Sequence, residues 1–235
     1  MELPSLREAR FLRRWQRFLA EVQLNGGERV LAHVPNSGRL TGVVGEGRRC
    51  WVAPAPRGKL PYRLEIVEAH GVLVGVNTQR AAKLAEEALA SGLLTLPGLA
   101  RPFQLKREVS PGAGSRLDLV LEDFHAQVWW VEVKNVTLVV GGVALFPDAV
   151  TARGAKHVRL LATLAQGGAH AGVVYVVQRT DSHEVRAAAE IDPTYARAAW
   201  EAAQAGVTFA AVEVEVSPTG LFPVRPLPVV VEPLD

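Results

Sequence analysis

Alternating apolar and polar positions dominate the first third of the chain. Val30, Ala32 and Val34 fall on one side of the segment 29–34. Asn25-Gly26-Gly27 joins that segment to the apolar run 18–24, a strong hairpin signal. Three more strands are predicted over 48–53, 62–69 and 72–76, and Pro35-Asn36-Ser37-Gly38 interrupts the alternation between them. Five short strands in so small a stretch predict a small β-barrel of the OB-like kind. From Gln79 the period lengthens. A helix is predicted over 79–91 with Gly92 as its stop, then strands over 103–109, 116–121 and 127–134, the first two separated by a turn at 110–114. A helix capped within 148–151 runs to about 164, followed by a strand over 171–177, a helix over 193–204 and a strand over 207–216. The Pro-rich tail after Phe222 reads as an extended edge. This order predicts an α/β unit with a mixed sheet, and the chain divides into 1–78 and 79–235.

Composition narrows the class. The 235 residues are 49% hydrophobic and 21% charged, which excludes intrinsic disorder and collagen-like repeats. The longest apolar stretch, 136–146, is broken by Gly141-Gly142 and falls short of the roughly 18 residues of a membrane span. The first residues are charged and lack the apolar stretch of a secretory signal, so a cytoplasmic location is expected. One cysteine, Cys50, excludes an intramolecular disulfide. Charge is uneven: residues 1–78 carry twelve Arg and Lys against seven acids, +5, whereas 79–235 carry −3. The basic set includes Arg13, Arg14, Arg17, Arg39, Arg57 and Lys59. It suits an anionic partner such as DNA, or a solvated arginine-rich surface. The sequence is compatible with a homodimer.

The sharpest chemical signal lies on two neighbouring strands. In Trp130-Val131-Glu132-Val133-Lys134 the strand period puts Glu132 and Lys134 on one face. Fourteen residues earlier, Asp118 interrupts the apolar run around Leu117 and Leu119. If the two strands pair through the turn near Asp123, the carboxylates approach one another. Two carboxylates and a lysine suit a hard divalent cation, Mg²⁺ or Mn²⁺, with the lysine orienting water or steadying phosphate charge. The plainer reading is a structural ion pair. Glu87, on the helix 79–91, and Glu108, at the end of its strand, are further acidic candidates, although Glu87 also suits a pair with Lys83. Arg116 shares a face with Asp118. Arg153, Lys156 and His157 occupy the first turns of a helix, where cations oppose the dipole unless an anion is bound, Arg153 pairing with Asp148 being the alternative. The six histidines lack zinc-site spacing, and no Gly-rich phosphate loop is present.

Several ordered motifs resemble the sugar fermentation stimulation protein A (SfsA) family nearly end to end. They include Arg17-Phe18-Leu19-Ala20-Glu21-Val22, His33-Val34-Pro35-Asn36-Ser37-Gly38-Arg39, Ser115-Arg116-Leu117-Asp118 and Glu132-Val133-Lys134-Asn135-Val136-Thr137-Leu138. Phe146-Pro147-Asp148-Ala149-Val150-Thr151 and Ile191-Asp192-Pro193-Thr194-Tyr195 continue the series. The resemblance implies an N-terminal OB-like domain, a C-terminal domain similar to PD-(D/E)XK nucleases, DNA binding, and a regulatory role in sugar-utilisation genes. It also implies that Asn36, Ser37 and Arg39 lie on a nucleic-acid-facing loop, whereas the residues alone are equally a polar turn. A DNA-binding protein with a nuclease-like core and an active Mg²⁺-dependent deoxyribonuclease both fit. A purely structural module leaves the charges inside the strands unexplained.

Overall fold

A computed structural model describes residues 1–55, 59–112 and 114–233. Arg57 of the basic set and Ala113 of the 110–114 turn lie outside the described residues. The N-terminal unit is a barrel of β1 (Arg7–Trp15), β2 (Leu19–Leu24), β3 (Arg29–His33), β4 (Arg49–Pro54) and β5 (Tyr62–Ala69). β1 pairs with β2 and β4, β2 with β3, and β4 with β5, all antiparallel. A parallel β3–β5 pairing closes the ring. This is the OB barrel expected from the pattern. β6 (Val72–Gly75) extends β5 as a hairpin.

The strand β1 escaped the sequence reading. Its arginines point outward while Ala9 and Phe11 enter the core, and a register shift between Phe11 and Arg13 breaks the alternation. Charge therefore hid a strand whose inward face is short.

A 3₁₀ turn (Thr78–Arg80) leads into α1 (Ala81–Ser91), which ends at Gly92 in the left-handed region, φ 79°. The large sheet then forms from β7 (Phe103–Val109), β8 (Leu117–Asp123) and β9 (Val128–Val136). β10 (Leu138–Val140) and β11 (Val143–Phe146) form a hairpin over Gly141-Gly142, which replaces the apolar stretch 136–146 of the sequence reading. α2 (Ala152–Gln166), β12 (His170–Val177), β13 (Glu184–Ala187), α3 (Pro193–Gln204), β14 (Thr208–Ser217), β15 (Gly220–Leu227) and β16 (Val229–Val230) complete the chain. The large sheet has the order β15-β14-β12-β9-β8-β7, with β9, β12 and β14 parallel and the others antiparallel. A second sheet, β10-β11-β13-β16, was not foreseen, because its strands are only two to four residues long.

The sheet is covered on both faces. α1 buries Leu84, Ala85, Ala88 and Leu89 at helical spacing against Leu119, Leu121, Val131 and Val133. The same cluster takes in Trp51 and Ile66 of the barrel, so the two units share one apolar core. On the other face Val158 and Leu161 of α2 and Tyr195, Ala198 and Ala202 of α3 pack on Val173, Tyr175 and Val177. One buried carboxylate, Asp192, ties the starts of both helices by accepting from Thr151 N–H at 2.7 Å and Tyr195 N–H at 2.9 Å.

Polar bonds fix the junction of the units. The Glu65 side chain, 2% exposed, accepts from Asn77 Nδ2 (2.9 Å), Arg63 Nε (2.7 Å) and an Arg80 guanidinium nitrogen (3.0 Å). Leaving two guanidinium groups and a buried amide unpartnered is costly. Glu65→Ala is expected to lower unfolding free energy by about 3 kcal/mol in urea denaturation. A loss below about 1 kcal/mol would show that apolar packing alone holds the junction.

Candidate functional site

The antiparallel register of β8 and β9, in which Leu119 faces Val131 and Leu121 faces Trp129, carries Asp118 to a position opposite Glu132. The strand period then sets Lys134 beside Glu132 on one face, as the sequence predicted, and that face meets α2. The three residues sit toward the carboxyl end of β9, next to parallel β12, where open α/β sheets bind ligands.

Glu132 is 3% exposed. Its Oε1 accepts from Lys134 Nζ at 2.5 Å and from His157 Nδ1 at 2.6 Å, while its Oε2 is buried with no hydrogen-bond partner. Burial alone would raise its pKa, but the bonds from His157 and Lys134 outweigh that effect and hold it below the usual carboxylate range. Asp118 is half-buried, and its Oδ2 accepts from Val133 N–H at 2.7 Å. Burial, then the Glu132 charge, push it up to about 6. The two carboxylates thus respond oppositely to one site: Glu132 is compensated and Asp118 is not.

These residues face a cavity of about 360 Å³ whose opposite wall comes from the barrel. Arg17, Asn36, Ser37 and Gly38 line that wall, with Thr78 and Asp148 at the junction. The wall is fixed in place. Asn36 is buried, donates to Val76 C=O at 3.0 Å and accepts from Gly38 N–H at 2.8 Å. Asp148 accepts from Leu40 N–H at 2.8 Å, and a Cβ at Gly38 would collide with the Asp148 carboxylate. Arg14 donates to the carbonyls of Arg17, Asn36, Gly38 and Arg39. A second cavity of about 620 Å³ adjoins the first at Arg153 and is bounded by Glu108, Arg116, Lys156 and His157.

The predicted residues therefore fall into distinct places. Asp118, Glu132 and Lys134 come together, with Arg17 and Ser37 across the cleft and Arg153 at its side. Arg116, Lys156 and Glu108 line the adjoining cavity, and Arg39 is exposed on the barrel loop. Four expectations need correction. Glu87 does not face the site; its Oε2 binds the Met1 ammonium at 3.0 Å and its Oε1 lies 4.0 Å from Lys83. His157 is buried against Glu132, so it positions that carboxylate instead of presenting a surface cation. Arg14 and Asn36 spend their polar groups on backbone around the barrel loop, whereas Arg13, paired with Glu21 at 2.8 Å, stays exposed. Arg153 makes no pair with Asp148, whose carboxylate is engaged by the barrel. Sequence reasoning also missed Asn135 and Gln178, which bond to each other at the ends of β9 and β12. A polar residue closing an apolar strand was the available signal.

Among the described residues no cluster of three or more His, Cys, Asp or Glu side chains is arranged for a metal. The donor set is instead two carboxylates, one with a bare buried oxygen. That fits Mg²⁺ or Mn²⁺, which are held by one or two carboxylates and complete their shell with water and phosphate oxygens. Cys50 is no competing nucleophile, since burial pushes its thiol up to about 12.

Comparison with known proteins agrees with this architecture. The sugar fermentation stimulation protein RE domain matches residues 79–220, and the SfsA N-terminal OB domain matches residues 12–76. A sugar fermentation stimulation protein homolog from Thioalkalivibrio sulfidiphilus is 46% identical over 222 residues, 93% of this chain and 92% of its own. One from Pseudomonas paraeruginosa is 47% identical over 232 residues, 96% of this chain and 97% of its own. The solved structure of Pyrococcus furiosus SfsA in complex with Ca²⁺ superposes with a TM-score of 0.89 at 30% identity, covering 98% of both chains.

The raised Asp118 pKa has a sign that can be measured. An acid shifted from 3.8 unfolded to about 6 folded carries no penalty below pH 4 and the full penalty above pH 6. Asp118→Asn, which keeps the Val133 hydrogen bond, is expected to raise stability in EDTA at pH 8 by about 2 kcal/mol and to leave it nearly unchanged at pH 4. Thermal denaturation at the two pH values checks this. Equal or lower stability at pH 8 would show that Asp118 and Glu132 do not share one field.

Proposed function

The chain belongs to the sugar fermentation stimulation protein family, and we propose that it binds DNA and hydrolyses phosphodiester bonds with a divalent cation in the cleft between barrel and sheet. The observation that carries this reading is the bare, buried Oε2 of Glu132, opposite Asp118 and beside Lys134. A carboxylate oxygen removed from water without a donor is costly, and a cation satisfies it. The Ca²⁺ complex of the archaeal relative supports divalent-ion binding here.

In this reading Asp118 and Glu132 hold Mg²⁺ or Mn²⁺, which supplies Lewis-acid polarisation of the phosphate and a more acidic water. His157 keeps Glu132 oriented through Oε1, leaving Oε2 as the oxygen that would be free to hold a cation. Lys134 Nζ, released from part of its bond to Glu132, orients the attacking water and offsets charge building on the phosphate. Arg153, Arg116 and Lys156 take flanking phosphates along the adjoining cavity, where the N-terminal turn of α2 also favours an anion. The barrel wall, through Arg17 and Ser37, keeps the strand over the carboxylates. DNA as the substrate accords with a cytoplasmic protein.

A second reading keeps DNA binding without cleavage, as a regulator of sugar-utilisation genes. The Lys134–Glu132 ion pair favours it, because it compensates Glu132 without a metal.

Nicking of supercoiled plasmid and degradation of labelled oligonucleotides with Mg²⁺ or Mn²⁺ separate the two. The wild-type protein is expected to cleave, Glu132→Ala to be inactive, and Lys134→Ala to lose about 100-fold or more in kcat. Tight binding of every DNA form with no cleavage under either metal would establish the second reading. For affinity, log Kd against log salt in EDTA is expected to become shallower by about 2–3 units when Arg17, Arg153 and Lys156 are all changed to Ala. An unchanged slope would remove these residues from the DNA footprint.

A further inference from the structure

The loop joining β1 to β2 holds an aromatic side chain out in water on a hydrogen-bonded backbone. Gln16 and Arg17 both have positive φ, 49° and 61°, a conformation non-glycine residues adopt rarely and at a cost. The backbone is nevertheless pinned: Arg17 C=O accepts from Arg14 Nε at 2.6 Å, Phe18 C=O accepts from Val34 N–H at 2.8 Å, and Phe18 N–H donates to Gln16 C=O at 2.7 Å. The result is Phe18, 46% exposed, with its ring 26° from parallel to that of His33 at a centroid distance of 6.4 Å. Folding gains little from an aromatic ring left in solvent on a fixed stalk. The tight β1–β2 hairpin accounts for the two positive φ values, but not for the placement of an aromatic ring in water beside them.

His33, on which the ring stacks, and the adjacent Leu19 line a cavity of about 570 Å³. Leu19, Ala55 and Leu60 make its apolar floor, and His33, Lys59, Arg63 and Gln79 its polar rim; among the described residues no carboxylate lines it. Arg63 shares its Nε with buried Glu65, while Lys59 is exposed. The cavity is continuous along the chain with the catalytic cleft at two points. Leu19 lines it and Arg17 lines the cleft, with Phe18 between them. Gln79 lines it and the preceding Thr78 lines the cleft.

We infer that this face of the barrel is a single-stranded DNA site in which a base stacks on Phe18 and the backbone runs past Arg17 into the catalytic cleft. The inference rests on the proposed function for the cleft. A single strand offers bases on one side and phosphates on the other, which matches an aromatic ring and apolar floor under a cationic rim. A duplex hides its base faces, so it can use the cations but not the ring. The substrate class is therefore a single strand or an unpaired end, delivered base-first to the barrel and phosphate-first to Asp118 and Glu132.

Fluorescence anisotropy in EDTA, with labelled 12-nucleotide oligothymidylate, its RNA counterpart and a 12-base-pair duplex, tests this without cleavage. The wild-type protein is expected to prefer the DNA single strand to the duplex. Phe18→Ala is expected to weaken single-strand binding by about 5- to 100-fold and duplex binding by less than twofold, as loss of one stacked base requires. Phe18→Trp is expected to retain the single-strand affinity and to show indole quenching on binding. Because the ring is exposed, neither variant should shift Tm appreciably. Unchanged oligothymidylate affinity in Phe18→Ala would overturn the inference, and so would equal losses for single strand and duplex. Tighter, equally Phe18-dependent RNA binding would overturn its assignment to DNA. If the wild-type protein cleaves plasmid with Mn²⁺ yet Phe18→Ala binds normally, the stacking site is wrong and the cleft stands. If no DNA form binds at all, both fall.

Discussion

A carboxylate enclosed by an apolar strand and a helix persists only if the surrounding groups replace the water it has lost. Glu132 meets that condition on one oxygen and fails it on the other. Lys134 and His157 converge on Oε1, one from the same strand and one from α2, so the pair also ties α2 to the sheet. Oε2 keeps no partner. Asp118, across the β8–β9 register, adds a second negative charge in place of a donor. The arrangement leaves one buried oxygen uncompensated, the cost that the proposed cation would remove.

The remainder of the fold holds these carboxylates against a wall. Asp148, Asn36 and Arg14 use their polar groups on the backbone of the barrel loop, and Thr78 donates to Pro35 C=O at 2.8 Å through its hydroxyl. The cleft between the units is thus framed by hydrogen bonds on one side and by the shared apolar core of Trp51, Ile66 and α1 on the other. Loop residues that look like nucleic-acid contacts in a linear motif prove to be fasteners that hold Arg17 and Ser37 at the cleft wall.

What the sequence revealed follows from periodicity. The Asp118, Glu132 and Lys134 constellation was legible because charge inside a strand of period two declares its own face, and the OB barrel because hairpin chemistry at Asn25-Gly26 leaves few alternatives. β1 was not legible, since its inward face is only Ala9 and Phe11 before a bulge. The small sheet was hidden by strands of two to four residues that depend on tertiary pairing. His157 was read as a surface cation because helix position alone does not tell which face meets the sheet. Glu87 was a candidate for the same reason, although its carboxylate binds the Met1 ammonium.

Isothermal titration of the metal-free protein with Mn²⁺ tests the claim that Glu132 and Asp118 form an incomplete coordination shell. The account predicts saturable binding that Glu132→Gln and Asp118→Asn each abolish, and that His157→Ala weakens by about 10- to 100-fold through loss of orientation at Glu132. Absence of Mn²⁺ binding by the wild-type protein, or binding that survives Glu132→Gln, would contradict it.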